Sequence, residues 1–338
     1  MGNAAASKTF SSPFDTLAPS ARIPIATLST SLLGGVWHGG SRPAVRLARP
    51  DLPSPFGLRR ASKAGRATRP MARFHTGGAW HGQEADVRIL ATNDDGIMAP
   101  GLVAMRRALA GLGDLAVVAP TTPQSAVGHA ISLTEPVLCH RMDLGDGLAG
   151  FGIEGSPADC VKLAFLELMP ERPDLVVSGL NLGANVGINV LYSGTVAAAV
   201  EGAFYGVPSV AVSLEDSDAV DFDGAARLAR RLVEQFLAAR PGPGALVNIN
   251  IPDLSPGPPK GVKVVPQSMK GWREKWDARR DPRGRTYYWI TGESEAEDEG
   301  AETDVSALAA RYVTVTPLRF DLTDHARLEA VRAWDFRL

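Results

Sequence analysis

From residue 86 onward the chain alternates short β-branched runs with longer Ala- and Leu-rich stretches, and this alternation limits the fold most. Parallel strands need long crossovers, which helices supply, so the pattern is that of an α/β protein with a mostly parallel sheet. Strands are expected over 87–92, 115–119, 174–178, 209–213 and 245–251, with a further extended segment over 130–139. A helix begins near Pro100, with Leu102, Met105 and Leu109 on one face and Gly111 and Gly113 closing it. Others are expected over 160–169, opened by Ser156 as cap and Pro157 in the first turn, over the alanine-dense 195–205, and over the amphipathic 223–239.

Directly after the first strand stands Asn93-Asp94-Asp95-Gly96. Two adjacent carboxylates at the end of a buried strand repel each other unless a cation lies between them. Hard divalent ions such as Mg²⁺ or Mn²⁺ take oxygen ligands and would settle both charges. Neighbouring strand residues point to opposite faces, so the chain must bend for both to reach one ion, and Gly96 permits the bend. The competing reading of these four residues is an ordinary Asp-Gly turn with a solvated Asp.

Other polar residues fall on the same edge. Ser125 lies in the loop after the second strand, and Asn181 follows the third. Ligands of open α/β sheets bind at the carboxyl ends of the strands, so Asp94, Asp95, Ser125 and Asn181 can meet at one cation. Taken singly, Ser125 or Asn181 would be a turn or capping residue. Ser193-Gly194-Thr195 opens the Ala-rich helix, where free amides and the helix dipole favour an anion such as phosphate. Standing alone it reads as an N-cap. A cation and an anion pocket on one edge suggest phosphate-ester chemistry.

The net charge of −2 over 338 residues conceals an asymmetry. Residues 1–73 hold eleven Lys or Arg and two acids, leaving 24 basic and 35 acidic residues from position 74 on, a net of −11. An acidic body argues against a nucleic-acid duplex as partner. No run of about 18 apolar residues is present, so no membrane-spanning helix is expected. Cys139 and Cys160 have no metal-ligand or disulfide-framework spacing and read as buried thiols in a reducing compartment. Residues 1–85 are rich in Ser, Ala, Pro, Gly and Arg without a sustained period. They read as an organelle transit segment, a disordered extension, or the product of a start assigned upstream of Met71. The body, 86–338, is expected to form one α/β unit that includes a C-terminal arm and closing elements over 255–338. Its location is expected to be cytoplasmic, or organellar if 1–80 is a transit segment.

Five motifs, in order, resemble one family. They are Asn93-Asp94-Asp95-Gly96; Val118-Ala119-Pro120 with Gln124-Ser125; Gly155-Ser156-Pro157-Ala158-Asp159-Cys160; Val177-Ser178-Gly179-Leu180-Asn181; and Tyr192-Ser193-Gly194-Thr195-Val196-Ala197-Ala198-Ala199. Together they are similar to the SurE family of metal-dependent 5′/3′-nucleotidases, the survival-protein acid phosphatases, from about Val87 to about Leu318. The resemblance implies a Rossmann-like, mostly parallel sheet flanked by helices, and hydrolysis of nucleoside monophosphates with one divalent cation, Mg²⁺ or Mn²⁺. It implies Asp94, Asp95, Ser125 and Asn181 as metal ligands and Ser193, Gly194 and Thr195 as the phosphate-holding turn. It also implies a homodimer or homotetramer built through C-terminal elements. The aromatic-rich stretch 271–292 reads as that arm, and Thr303-Asp304-Val305 with 312–318 resembles the closing motif. This chain departs from the family at Ala126, where Gly is usual, at Ile188 and Asn189, where acids are common, and at Ser156, where Thr is usual.

The expected reaction is attack of water on a phosphomonoester. Asp95 would position or deprotonate the water; alternatively Asp94 would attack phosphorus itself. His129 is a candidate general acid, against the plainer reading of a structural loop histidine. Competing functions are a nucleotide-binding or regulatory module without turnover, an exopolyphosphatase, and a broad acid phosphatase. A haloacid-dehalogenase-type phosphatase would need Asp-x-Asp in place of Asp-Asp-Gly. Neither G-x-G-x-x-G after the first strand nor a P-loop is present.

Overall fold

The computed structural model describes residues 87–270, 272–294 and 300–338; the extension expected over 1–85 lies outside them. The chain enters the fold at β1 (Val87–Thr92), crosses through α1 (Pro100–Leu109), and returns as β2 (Gly113–Pro120) beside it. After a long loop come β3 (Leu138–Asp143), β4 (Ala149–Glu154) and α2 (Pro157–Leu163), which runs on into a π turn over Ala164–Leu168. The second half is laid down as β5 (Leu175–Leu182), a 3₁₀ turn (Gly187–Leu191), α3 (Gly194–Phe204), β6 (Ser209–Leu214), α4 (Phe222–Ala238) and β7 (Leu246–Ile251). Then follow β8 (Val262–Val264), the strands β9 (Trp272–Arg280) and β10 (Thr286–Ser294), α5 (Asp304–Ala309), β11 (Val313–Pro317) and α6 (Leu328–Arg332).

The main sheet has the order β3-β4-β2-β1-β5-β6-β7-β11-β8. Its central run from β4 to β7 is parallel throughout, and β3 and β11 pair antiparallel at the two flanks. The expected α/β class is therefore the observed one. Ile89, Leu90 and Ala91 of β1 have no exposure, as a strand covered on both faces requires. Alternate residues face opposite layers. Ile89 and Ala91 pack with Leu102, Met105 and Leu109 of α1 and with Ala225, Ala229 and Val233 of α4. Leu90 packs on the other side with Val118, Val176, Val161 of α2 and Ala198 of α3. Small side chains on α3 suit this packing, and Val196 through Ala199 are all buried.

The structure corrects the expected elements in three places. The stretch 130–137 is irregular, and the strand begins only at Leu138, as half of a β3–β4 hairpin that the sequence reading lacked. Nearly every residue of β3 is exposed, so the strand has no buried face to impose a period of two. Gly113 belongs to β2, and α1 ends at Leu109 with Gly111 beyond it at φ +83°. Cys160 is buried as expected, but Cys139, on exposed β3, is not. The expected arm is present as the two-stranded sheet of β9 and β10, paired from Arg280↔Thr286 to Trp272↔Ser294. No helix among the described residues is long and apolar enough to cross a membrane.

Ser156 caps α2 as expected. Its Oγ accepts the Asp159 N–H at 3.1 Å, and Asp159 Oδ2 accepts the Ser156 N–H at 2.9 Å. The same hydroxyl donates to the Ala130 carbonyl at 2.6 Å, and Asp159 also takes the Ser132 N–H and hydroxyl. One serine thus fastens the irregular loop to the sheet's helix layer, with no need of the usual Thr. Ser156→Ala is expected to lower unfolding free energy by about 1–2 kcal/mol, the upper range for a lost cap. Urea denaturation checks this; an unchanged midpoint would contradict it.

Candidate active site

The order of strands reverses direction beside β1. The chain builds outward through β2 and β4 on one side, then returns to lay β5, β6 and β7 on the other. At such a switch point the loops leaving neighbouring strands part and open a crevice. The loops after β1 and β2 and the end of β5 meet there.

The first loop turns sharply at Gly96, whose φ is +111°, a conformation L-residues rarely adopt. Asn93 holds the turn closed: its Oδ1 accepts the Gly96 N–H at 3.2 Å and its Nδ2 donates to the Gly96 carbonyl at 3.0 Å. The second loop is tied to the first, since Gln124 N–H donates to the Asp94 carbonyl and Ile97 N–H to the Pro120 carbonyl, both at 2.8 Å. Asn181 sits on β5 just past a break in register between Ser178 and Asn181. Its Nδ2 donates to the Gly183 carbonyl at 2.6 Å, leaving Oδ1 as its acceptor for a ligand.

A cavity of about 600 Å³ lies at this edge, lined by Asp94, Asp95, Ser125, Asn181 and Ser193 among others. Five of the seven expected site residues thus share one space. Gly194 and Thr195 stand behind Asp94 instead. The Thr195 hydroxyl donates to Asp94 Oδ1, and the backbone amides of Gly194 and Thr195 also act on that carboxylate. The N-terminus of α3 therefore already faces an anion, and it is a side chain of the protein. Gly194 allows the approach, for a Cβ there would fall 2.8 Å from Asp94 Cβ and 2.9 Å from its Oδ2. Ser193 caps α3, its Oγ accepting the Val196 N–H at 3.0 Å, while still lining the cavity.

Burial raises the Asp94 carboxyl above the ordinary range, against the opposing bonds from Thr195 and Gly194. Asp95 is pushed up to about 6, first by burial and then by the neighbouring Asp94 charge, with only the Leu182 amide opposing. Two carboxyls that resist ionising side by side form a site that a cation would relieve. Among the described residues no group of three or more His, Cys, Asp or Glu is placed to hold a metal ion. A cation here would therefore be held by two carboxylates and neutral oxygens, a donor set that suits a hard ion.

Several residues at the site went unrecognised in the sequence: Asn185, and from the arm Glu274, Ile290 and Thr291. Asn189, noted as a departure from the family, and Tyr192, part of the fifth motif, also line the cavity. The loop bearing Asn185 is held by two asparagines of β7. Asn250 Oδ1 accepts the Asn185 N–H at 2.8 Å, and Asn248 Nδ2 and Asn250 Nδ2 donate to its carbonyl at 2.7 and 3.2 Å. Asparagines at alternate positions of an otherwise apolar strand were the available clue. The closing motif serves the same loop: buried Asp304 accepts the Gly187 N–H at 3.0 Å and the Ser268 N–H at 2.7 Å.

His129 takes the structural role. Its Nε2 lies 2.7 Å from Glu201 Oε2, and Lys162 Nζ lies 2.7 Å from the other oxygen. Burial alone would raise the Glu201 carboxyl, but the bonds from His129 and Lys162 outweigh it and hold it low. His129 lines a separate cavity of about 430 Å³. Ala126, where the family usually has Gly, adopts φ +56°, a left-handed conformation that Gly accepts without strain.

The profile described as "Survival protein SurE" matches residues 89–274. A protein named 5'-nucleotidase SurE from Rhodopirellula baltica is 48% identical over 74% of this chain and 100% of its own length. The chain belongs to the SurE family. A second relative of the same name, from Heliobacterium modesticaldum, is 44% identical over 73% of this chain and 92% of its own. The SurE protein of Aquifex aeolicus, a crystal structure, superposes with a TM-score of 0.63 at 37% identity, covering 72% of this chain and 98% of that one. The SurE match takes in all five motifs.

The two carboxyls predict a pH dependence. Both are held above their usual range, so the stability they permit is complete below about pH 4 and is lost as pH rises through about 6, where Asp95 ionises. With chelator present, the melting temperature should fall between about pH 5 and 7.5 more steeply in the wild type than in Asp95→Asn, by the linkage of protonation to folding. Mn²⁺ should restore the wild type at the higher pH and leave the variant unmoved. Equal slopes in differential scanning fluorimetry would refute the assignment.

Proposed function

We propose that residues 86–338 form a nucleotidase that hydrolyses nucleoside 5′- and 3′-monophosphates to nucleoside and phosphate. The observation that carries this reading is the convergence of Asp94, Asp95, Ser125, Asn181 and Ser193 on one cavity at the switch point of the sheet. Relatives named 5'-nucleotidase SurE, matched over nearly their whole length, support the same activity.

In this reading Asp94, Asp95, Ser125 and Asn181 hold one Mg²⁺ or Mn²⁺. When bound, that ion supplies a Lewis acid for a phosphoryl oxygen and lowers the pKa of a water. Asp94 is fixed before substrate arrives, by the Thr195 hydroxyl and the first amides of α3. Asp95 has fewer partners and is the group that orients the attacking water and accepts its proton. Ser193 meets the phosphate at the start of α3. Gly194 and Thr195 act on phosphate through the position they give Asp94. The β9–β10 arm joins two or four copies of the chain. Two unpaired cysteines suit a reducing, cytoplasmic setting.

Phosphate release from AMP and GMP tests the reading. Activity should require Mn²⁺ or Mg²⁺, vanish with EDTA, and fall by on the order of 100-fold or more in Asp95→Asn, the scale of losing one electrostatic partner of the transition state. Folded protein that binds Mn²⁺ and nucleotide without releasing phosphate would instead be a binding module.

A further inference from the structure

Glu201 is a carboxylate that the proposed chemistry does not use, yet it lies on the alanine-dense α3 with only 3% exposure. Burying a charge in such a place costs free energy unless partners compensate. Its two partners come from different parts of the chain. His129 Nε2 lies 2.7 Å from one carboxylate oxygen, and Lys162 Nζ of α2 lies 2.7 Å from the other. Their bonds outweigh burial and hold the carboxyl below its usual range, so it stays charged.

Lys162 alone would balance that charge; His129 adds a connection. It belongs to the loop after β2, four residues beyond Ser125. The chain just before Ser125 is fixed, because Gln124 donates its N–H to the Asp94 carbonyl at 2.8 Å. The chain just after it is fixed as well, the Gly128 N–H donating to the Tyr192 carbonyl at 2.9 Å. The loop comes close there, for a Cβ on Gly128 would fall 3.1 Å from the Leu191 carbonyl oxygen. Ser125 therefore sits in a short span clamped at both ends, and His129 locks the second clamp. Hydrogen bonds to a charged, buried carboxylate are stronger than those between neutral groups, so the tie to Glu201 is the firmest of the three.

We propose that Glu201, acting through His129, is a positioning residue for Ser125. It sets where the Ser125 hydroxyl stands at the cavity beside Asp94 and Asp95, and so tunes the affinity of the site for its divalent cation. The proposal rests on the reading of Ser125 as a ligand of that cation. It makes α3 the common support of the site. The first turn of the helix fixes Asp94 through Thr195, and Glu201, seven residues on from Gly194, fixes Ser125 through the loop.

The Kd for Mn²⁺, read by isothermal titration calorimetry on the full chain without nucleotide, tests this independently of turnover. The His129 side chain is 40% exposed, so His129→Ala opens no void in the core and leaves Lys162 on Glu201. It should raise the Kd by about 10-fold, the lower end of what losing a support behind a metal ligand costs. Ser125→Ala should raise it at least as much. Adding His129→Ala to Ser125→Ala should change it no further, because two changes that act on one contact are not additive. A fold anchor with no bearing on Ser125 would lower the melting temperature and leave the Kd alone. That result, or losses that multiply in the double variant, or a Ser125→Ala Kd equal to that of the wild type, would overturn the proposal. Should His129→Ala not fold, Glu201→Gln takes its place in the same cycle, since it keeps the shape of the side chain and weakens the same bond. A wild type that binds no Mn²⁺ would overturn the cation reading and the proposal together, whereas Mn²⁺ binding indifferent to these variants overturns the proposal alone.

Discussion

The site depends on how a buried carboxylate is kept at the tip of the central strand. Asp94 is only 6% exposed, and an ion so placed needs compensation. The first turn of α3 supplies it through a hydroxyl, two amides and the helix dipole. That arrangement dictates its surroundings. Residue 194 must lack a side chain, α3 must begin at the edge of the sheet, and Ser193 is thereby carried to the cavity wall. Asp95 lacks such compensation, which is why its proton is held to about pH 6.

Around this pair the loops are braced by amides rather than by apolar packing. Asn93 closes its own turn, Asn250 grips both backbone groups of Asn185, and Asp304 holds Gly187 and Ser268. The Asn250 amide meets both the N–H and the carbonyl of Asn185, so irregular chain at the cavity has its backbone groups satisfied. His129 of the loop after β2 and Lys162 of α2 converge on Glu201 and moor both segments to α3. Catalytic geometry of this kind calls for loops that hold still.

Much of this was legible in the sequence because the central parallel strands are mostly apolar and the loops following them carry the charged residues. Asp94, Asp95, Ser125 and Asn181 could be placed on one edge from strand positions alone. The β3–β4 hairpin could not be read, since an edge strand exposed on both sides has no alternation to betray it. Nor could the partner of the α3 N-terminus. The helix start announces an affinity for anions, but only the approach allowed by Gly194 decides that Asp94 takes up that affinity. The reach of Glu274 and Ile290 to the cavity depends on where the arm leaves the core, which no local pattern records.

The bond from Thr195 to Asp94 joins residues 101 positions apart, one from each half of the doubly wound sheet. Closing a loop that long costs entropy, so the bond depends on the elements packed between its ends. Until α3 docks, the tip of β1 is open to water and its two aspartates are ordinary solvated acids. Docking withdraws the water, brings Asp94 its donors and leaves Asp95 beside it without them, in one event. The chemistry of this edge is consequently a property of the completed molecule: a chain still emerging from synthesis, or folded in its first half alone, holds the same residues without the same acidity.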